Sequence, residues 1–156
     1  MADYCKKFSV TVELPTEAAQ RYARELAEDA AGYFLRDDPL PADFPADLLH
    51  ALEEASEDSV DWRFETEKDD EGIFLHADYG GGGPEVACMF IQHLLRKFDP
   101  TGVVAFEWSR DCIPPREDGY GGGAAIITAQ EIKMMRTRAW LDQQISGLSG
   151  STPRSP

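Results

Sequence analysis

The chain has little that would let it enter a membrane, hold nucleic acid directly or rest on covalent cross-links. No apolar run approaches the roughly 18 residues that a bilayer span needs. Behind Lys6 and Lys7 there is no apolar segment of the kind a secretory signal requires. The three cysteines, Cys5, Cys88 and Cys112, are odd in number and far apart, which suits reduced thiols and predicts a cytoplasmic protein. Cationic charge is scarce too: 15 Lys and Arg stand against 29 Asp and Glu, a formal net charge of -14. A field of that sign repels phosphates and anionic lipid, so neither nucleic-acid binding nor membrane attachment is expected. His50, His76 and His93 fall on three different predicted elements, and there is no Cys-x-x-Cys or His-Glu-x-x-His spacing. The sequence therefore calls for no metal and no cofactor, and it singles out no catalytic residue.

What is present is the composition of one ordinary domain. At 156 residues, 42% hydrophobic and 28% charged, the chain can bury a single core without staples. The negative charge is concentrated. Between Asp37 and Asp70 thirteen Asp and Glu meet only Arg63 and Lys68, a local balance of -11. Such a stretch keeps a small protein in solution, and it also steers a basic partner toward itself. Glu53, Glu54, Glu57 and Asp58 are the candidate partner surface within it.

Periodicity supplies the elements. Phe8, Val10, Val12 and Leu14 alternate with polar residues as a half-buried strand does, and Pro15 ends the run. Thr16 is placed to cap a helix carrying Ala19, Tyr22, Ala23, Leu26, Ala30, Tyr33 and Phe34 on one side. After a proline-rich connection, a short acidic helix is expected from about Asp47 to Ala55. Val60 to Glu67 and Ile73 to Tyr79 alternate on either side of a polar turn, which predicts a β-hairpin. Its polar face gathers Arg63, Glu65, Phe74, His76 and Asp78. Pro84 opens a core helix with Val86, Ala87, Phe90, Ile91, Leu94, Leu95 and Phe98 as its stripe. Val104 to Ser109 predicts a fourth strand, a long loop runs from Asp111 to Gly123, and Ala124 to Ile127 is a short fifth strand. Thr128-Ala129-Gln130-Glu131 has the form of a capping box opening a last helix.

The order contains the βαββαβ unit of a ferredoxin-like α+β fold, with an added acidic helix, an added edge strand and a C-terminal helix. The boundaries are a single domain over residues 1–145 and a Gly-, Ser- and Pro-rich disordered tail over 146–156. One face of the sheet should stay open, built by Ser9, Thr11, Arg63, Phe74, His76, Asp78, Glu107 and Ser109. That face is a natural docking surface or homodimer interface, unless the last helix covers it.

Two tyrosine-glycine stretches, Tyr79 to Gly83 and Tyr120 to Gly123, each set an aromatic ring beside bare backbone. Neither has a phosphate-loop lysine or spacing, and Pro84 with Glu85 occupies the helix start that would face an anion. His76 and Asp78 project the same way from one strand and form a candidate acid/base pair. Cys112 follows a strand, with Arg110 and Arg116 near in sequence to favour a thiolate. A small-molecule cleft between the two loops would thus use Tyr79, Gly80, Gly81, His76, Asp78, Cys112, Arg116, Tyr120 and Gly121.

Gln92-His93-Leu94-Leu95-Arg96-Lys97-Phe98, Phe106-x-Trp108, Cys112, Pro115-Arg116, Tyr120-Gly121-Gly122-Gly123-Ala124 and Thr128-Ala129-Gln130-Glu131-Ile132 together resemble a group of small uncharacterised bacterial and mobile-element proteins. The resemblance implies that the long loop with its Tyr-Gly-Gly-Gly is shared and that the acidic insertion from Asp37 to Asp58 varies. It brings no activity and no catalytic residue. The leading expectation is a non-enzymatic acidic interaction protein, of inhibitor or immunity type, covering a basic surface of a partner protein. The alternative is a small-molecule-binding protein or minor enzyme built on the two glycine loops.

Overall fold

A computed structural model describes residues 3–55, 61–77, 82–115, 117 and 119–149. In chain order it contains β1 (Asp3–Glu13), α1 (Glu17–Arg36), α2 (Ala46–Glu54), β2 (Glu65–Lys68), β3 (Gly72–Ala77), α3 (Pro84–Phe98), β4 (Val104–Ile113), β5 (Gly121–Ile127), β6 (Ile132–Arg136) and α4 (Thr137–Ser149). The strands form one antiparallel sheet in the order β2-β3-β1-β4-β5-β6. The fold is mixed α+β. None of its helices is long and apolar enough to cross a membrane, among the described residues.

β1 occupies the centre because its alternation suits a strand with one dry face. Phe8, Val10 and Val12 point into the core together with Ile73, Leu75, Ala77, Phe106, Trp108, Ala125 and Ile127 from its neighbours. α1 closes this face with Ala19, Ala23, Leu26, Ala27 and Ala30, and α3 does so with Val86, Ala87, Phe90, Ile91, Leu94 and Leu95. Each large side chain so buried contributes about 1.5–3 kcal/mol. Thr16 caps α1 as its position suggests, its hydroxyl accepting from the Ala19 amide at 3.1 Å. Pro84 sits in the first turn of α3, where its missing N–H costs no hydrogen bond.

Four features depart from the sequence pattern. The β2–β3 ladder starts only at Glu65, because Trp62 and Phe64 leave the sheet edge to fill the core. Trp62 stacks parallel to Phe34 at 6.0 Å and meets Phe64 and Phe90 at 5.1 and 5.7 Å. Next, Thr128 does make capping bonds, accepting from the Glu131 amide at 3.1 Å and from Gln130 at 3.3 Å, but it closes a hairpin turn and not a helix. Ile132 to Arg136 then pair with β5 as β6, which adds a sixth strand where a helix is expected. Ile132 and Met134 pack on the core while Lys133 and Met135 face away, a period of two that competes with the helical reading of the same residues.

The other two departures concern glycine and the C-terminus. Gly121, Gly122 and Gly123 belong to β5 and pair with Arg110, Ser109 and Trp108, so the loop expected to run to Gly123 ends earlier. The glycines are needed there for closeness: a Cβ on Gly123 would lie 2.5 Å from the Trp108 ring and 2.1 Å from the Met135 carbonyl oxygen. Gly122 has φ +148, which L side chains rarely adopt. α4 runs through Ser149, so Ser146 to Ser149, read as tail from composition, are helical. The rest of the tail lies outside the described residues.

The close fit at Gly123 has a direct test. Gly123→Ala should lower the urea midpoint by an amount equivalent to about 1–3 kcal/mol, the usual cost of overpacking. Gly147→Ala, with nothing within 4 Å of the added carbon, should leave the global midpoint unchanged or raise it slightly.

Candidate functional site

The face of the sheet turned away from α1 and α3 carries a row of exposed side chains. Register places Lys7, Ser9, Thr11 and Glu13 of β1 on it beside Phe74 and His76, then Ala105, Glu107 and Ser109, then Ala124 and Ile126, then Lys133 and Met135. Ser9, Thr11, Ala105, Glu107, Ser109 and Ile126 are exposed. α4 rests against β5 and β6, and its residues from Arg138 to Leu148 are all exposed, so it does not bury this face. Of the other residues expected here, Arg63 lies ahead of β2 and is bound to Asp61 at 2.9 Å. Asp78 is outside the described residues.

The face is not flat. β1 and β4 pair only from Asp3↔Ile113 to Phe8↔Trp108, after which Ser9 to Glu13 continue with β3 and Val104 to Glu107 with β5. The sheet opens along this seam. A shallow depression of about 760 Å³ lies at its vertex, lined by Lys7, Ser9, Ala105, Glu107, Ser109 and Ile126 among others. A smaller one of about 310 Å³ lies further along, where Leu95 of α3 and its C-cap Asp99 reach Thr11, Glu13 and Val104. Backbone released from a ladder, apolar Ala105 and Ile126, and carboxylates at the rim make a surface suited to a protein contact.

Of the residues expected in a small-molecule cleft, the four described ones, His76, Cys112, Tyr120 and Gly121, do not gather at one point. His76 is on the open face of β3, opposite Ser9 and Glu65. Cys112 is on the core side of β4, opposite Tyr4, which puts it about 17 Å further along β1 at 3.4 Å per residue. Its thiol is buried and donates to the Pro114 carbonyl at 3.2 Å. Tyr120 is exposed, and Gly121 begins β5 opposite Arg110. Tyr79, Gly80, Gly81, Asp78 and Arg116 lie outside the described residues. The end of the first glycine stretch is spent within the chain: the Gly83 amide donates to the Asp61 carbonyl at 2.9 Å. Burial raises the pKa of the Asp61 carboxyl, but bonds from Arg63 and from the Gly82 amide outweigh this and hold it below its usual range. Those two amides are therefore engaged within the chain and do not face an anion.

No family model, curated protein or solved structure matches the chain.

On the acidic segment, Glu53 and Glu54 are exposed on α2, and Glu54 lies 3.4 Å from His50. Glu57 and Asp58 are outside the described residues. α2 packs through Leu48 and Leu52 in the helical layer beside α3, on the opposite side of the sheet from the open face. The two candidate partner surfaces are thus separate.

A polar network that the sequence did not suggest joins the helices. His93, buried on α3, lies 2.8 Å from the Tyr22 hydroxyl through Nε2 and 2.9 Å from Asp47 through Nδ1. A carboxylate only accepts, so Nδ1 donates to Asp47, and in that tautomer Nε2 is the acceptor for the Tyr22 hydroxyl. Arg96 bonds both Asp47 at 3.3 Å and the Ala129 carbonyl at 2.9 Å. The order Tyr-His-Asp has the form of a nucleophile relay, yet burial, with Asp47 and Asp43, raises the Tyr22 pKa and disfavours a phenolate. The network is a clamp holding α1, α2, α3 and the β5–β6 turn. Its signal in the sequence was only Tyr22 and His93 at the polar margins of two apolar stripes, 71 residues apart.

Burial raises the Asp47 pKa, but its bonds to His93 and Arg96 and the Leu48 amide outweigh that and bring it below 3.8. A depressed carboxylate stabilises the fold above its unfolded pKa, and that stability is lost as pH falls through the folded value. Asp47→Asn should therefore cost about 1 kcal/mol at pH 7, allowing for the partial exposure of the pair. The difference from wild type should shrink below pH 4 in urea titrations across pH 2–7.

Proposed function

We propose that this protein is a non-enzymatic interaction protein whose open sheet face, centred on the β1–β4 seam, covers a basic surface of a partner protein. The observation that carries this reading is the one-sidedness of the sheet. A six-stranded sheet with helices over one face leaves on the other an extended surface on which Glu13, Glu65, Glu67 and Glu107 outnumber Lys7 and Lys133. Lys7 is drawn to Asp111 at 3.4 Å, which leaves still less positive charge to offset the acids. Ala105, Ile126 and Met135 supply the apolar area that a stable contact needs.

The architecture we infer beneath this face is a ferredoxin-like βαββαβ core extended by the β5–β6 hairpin. Its support is the spatial order β2-β3-β1-β4, all neighbours antiparallel, with α1 and α3 as the connections. An inhibitor or immunity-type role is the concrete form of the reading. A protein this acidic presents to a basic partner the same sign of charge that a nucleic acid does, and it would occupy the partner's binding surface.

Affinity capture from native cells with the full chain should retain a basic protein at about 50 mM salt and lose it near 500 mM, where charges are screened within a few ångström. The pair Glu13→Lys and Glu107→Lys should release it at low salt, while Glu53→Lys with Glu54→Lys on α2 should not. A partner indifferent to salt, or one released by the α2 variant and not by the face variant, overturns the assignment.

A further inference from the structure

We propose that Glu65, Glu67 and His76 form a binding site for a first-row divalent metal ion of the zinc class at the β2–β3 edge of the open face. Their ligand atoms all lie within 4.8 Å of one another. Antiparallel register creates the group: Glu65 is directly opposite His76, and Glu67, two residues on, projects from the same face beside it. The His76 Nε2 is 3.6 Å from Glu65 Oε2 and 3.6 Å from Glu67 Oε1. That spacing is long for a hydrogen bond, but ligand atoms around a tetrahedral ion with bonds of about 2.0–2.2 Å stand roughly 3.3–3.6 Å apart.

A second observation concerns the histidine nitrogen itself. The His76 Nε2 is inaccessible to solvent and, among the described residues, makes no hydrogen bond. The side chain as a whole is only 25% exposed, and its ring stacks on Phe74 at 5.2 Å with the planes 24° apart. A buried nitrogen left without a partner costs about 1–3 kcal/mol, and a metal bond to its lone pair removes that cost. The stacking holds the ring while Glu65 and Glu67, both well exposed, are free to swing onto the ion.

The donor set decides the class of ion. One imidazole with two carboxylates suits zinc and its neighbours, whereas magnesium and calcium prefer an all-oxygen shell. Three protein donors leave a tetrahedral ion one position for water or for a donor from a bound partner. The site adds positive charge at the edge of an acidic face, so it can supply a contact that the side chains alone do not. It uses two of the acids on the proposed interface, Glu65 and Glu67, but Glu13 and Glu107, which test the interface, are not ligands, so the two proposals fail separately.

Calorimetric titration of the untagged full chain, stripped of metal by chelation, should show one zinc ion bound per chain and no comparable heat with magnesium chloride. Glu65→Gln and Glu67→Gln should each weaken zinc binding by about tenfold or more, and His76→Ala by more than about a hundredfold. His50→Ala, whose ring lies on α2, should leave binding unchanged. In nitrogen-15 spectra the His76 Nε2 resonance should move on zinc addition. The two Gln variants alter exposed side chains and carry the test if His76→Ala does not fold. Absence of zinc binding, equal affinity in the variants, or equal binding of magnesium overturns the proposal.

Discussion

The whole arrangement depends on the burial of one face of β1. Phe8, Val10 and Val12 can leave water only if two helices lie over them, and α1 and α3 between them carry enough apolar surface to cover one side of six strands. The other side, with Lys7, Ser9, Thr11 and Glu13, is left to solvent by the same alternation. Core and candidate surface are thus two consequences of a single period of two. A one-residue slip of β1 against β3 would exchange them, which is why the register is so strongly specified.

Two constraints refine that scheme. Trp108 lies close against Gly123, which ties β4 to β5 at the vertex of the seam and makes bare backbone a requirement of the strand. Beyond this point β1 and β4 part, and the C-terminal end of α3 reaches the gap with Leu95 and Asp99. On the helical side, the clamp of Tyr22, His93, Asp47 and Arg96 fastens the short α2 to the longer helices. A nine-residue helix is too short to persist by its own hydrogen bonds. Its leucines and this network hold it in place.

The negative charge is divided between two surfaces. Glu53 and Glu54 stand in the helical layer, and Glu13, Glu65, Glu67 and Glu107 stand across the sheet from them. Counting charge along the chain merges the two, because β2 follows α2 in sequence while facing the other way in space. The same limit applies to His76. Its neighbours on the strand were legible, but Glu67 joins it only through the ladder, and the lack of a hydrogen bond to its Nε2 among the described residues depends on what surrounds the ring.

Local pattern was enough to determine the α+β class, the alternation of β1, the cap at Thr16, the start of α3 at Pro84 and most of the polar strand positions on the open face. Those features follow from side-chain period and backbone chemistry within a few residues. Tertiary structure decided the rest. Thr128 makes the bonds of a helix cap whether the chain goes on as helix or strand, and the free edge of β5 makes the choice. Glycines that read as a loop became a strand because Trp108 needed the room. His93, on an apolar stripe, became a polar hub because Tyr22 and Asp47 arrive from other helices. Each of these outcomes depends on a partner distant in sequence, and contact between distant residues is what local periodicity does not encode.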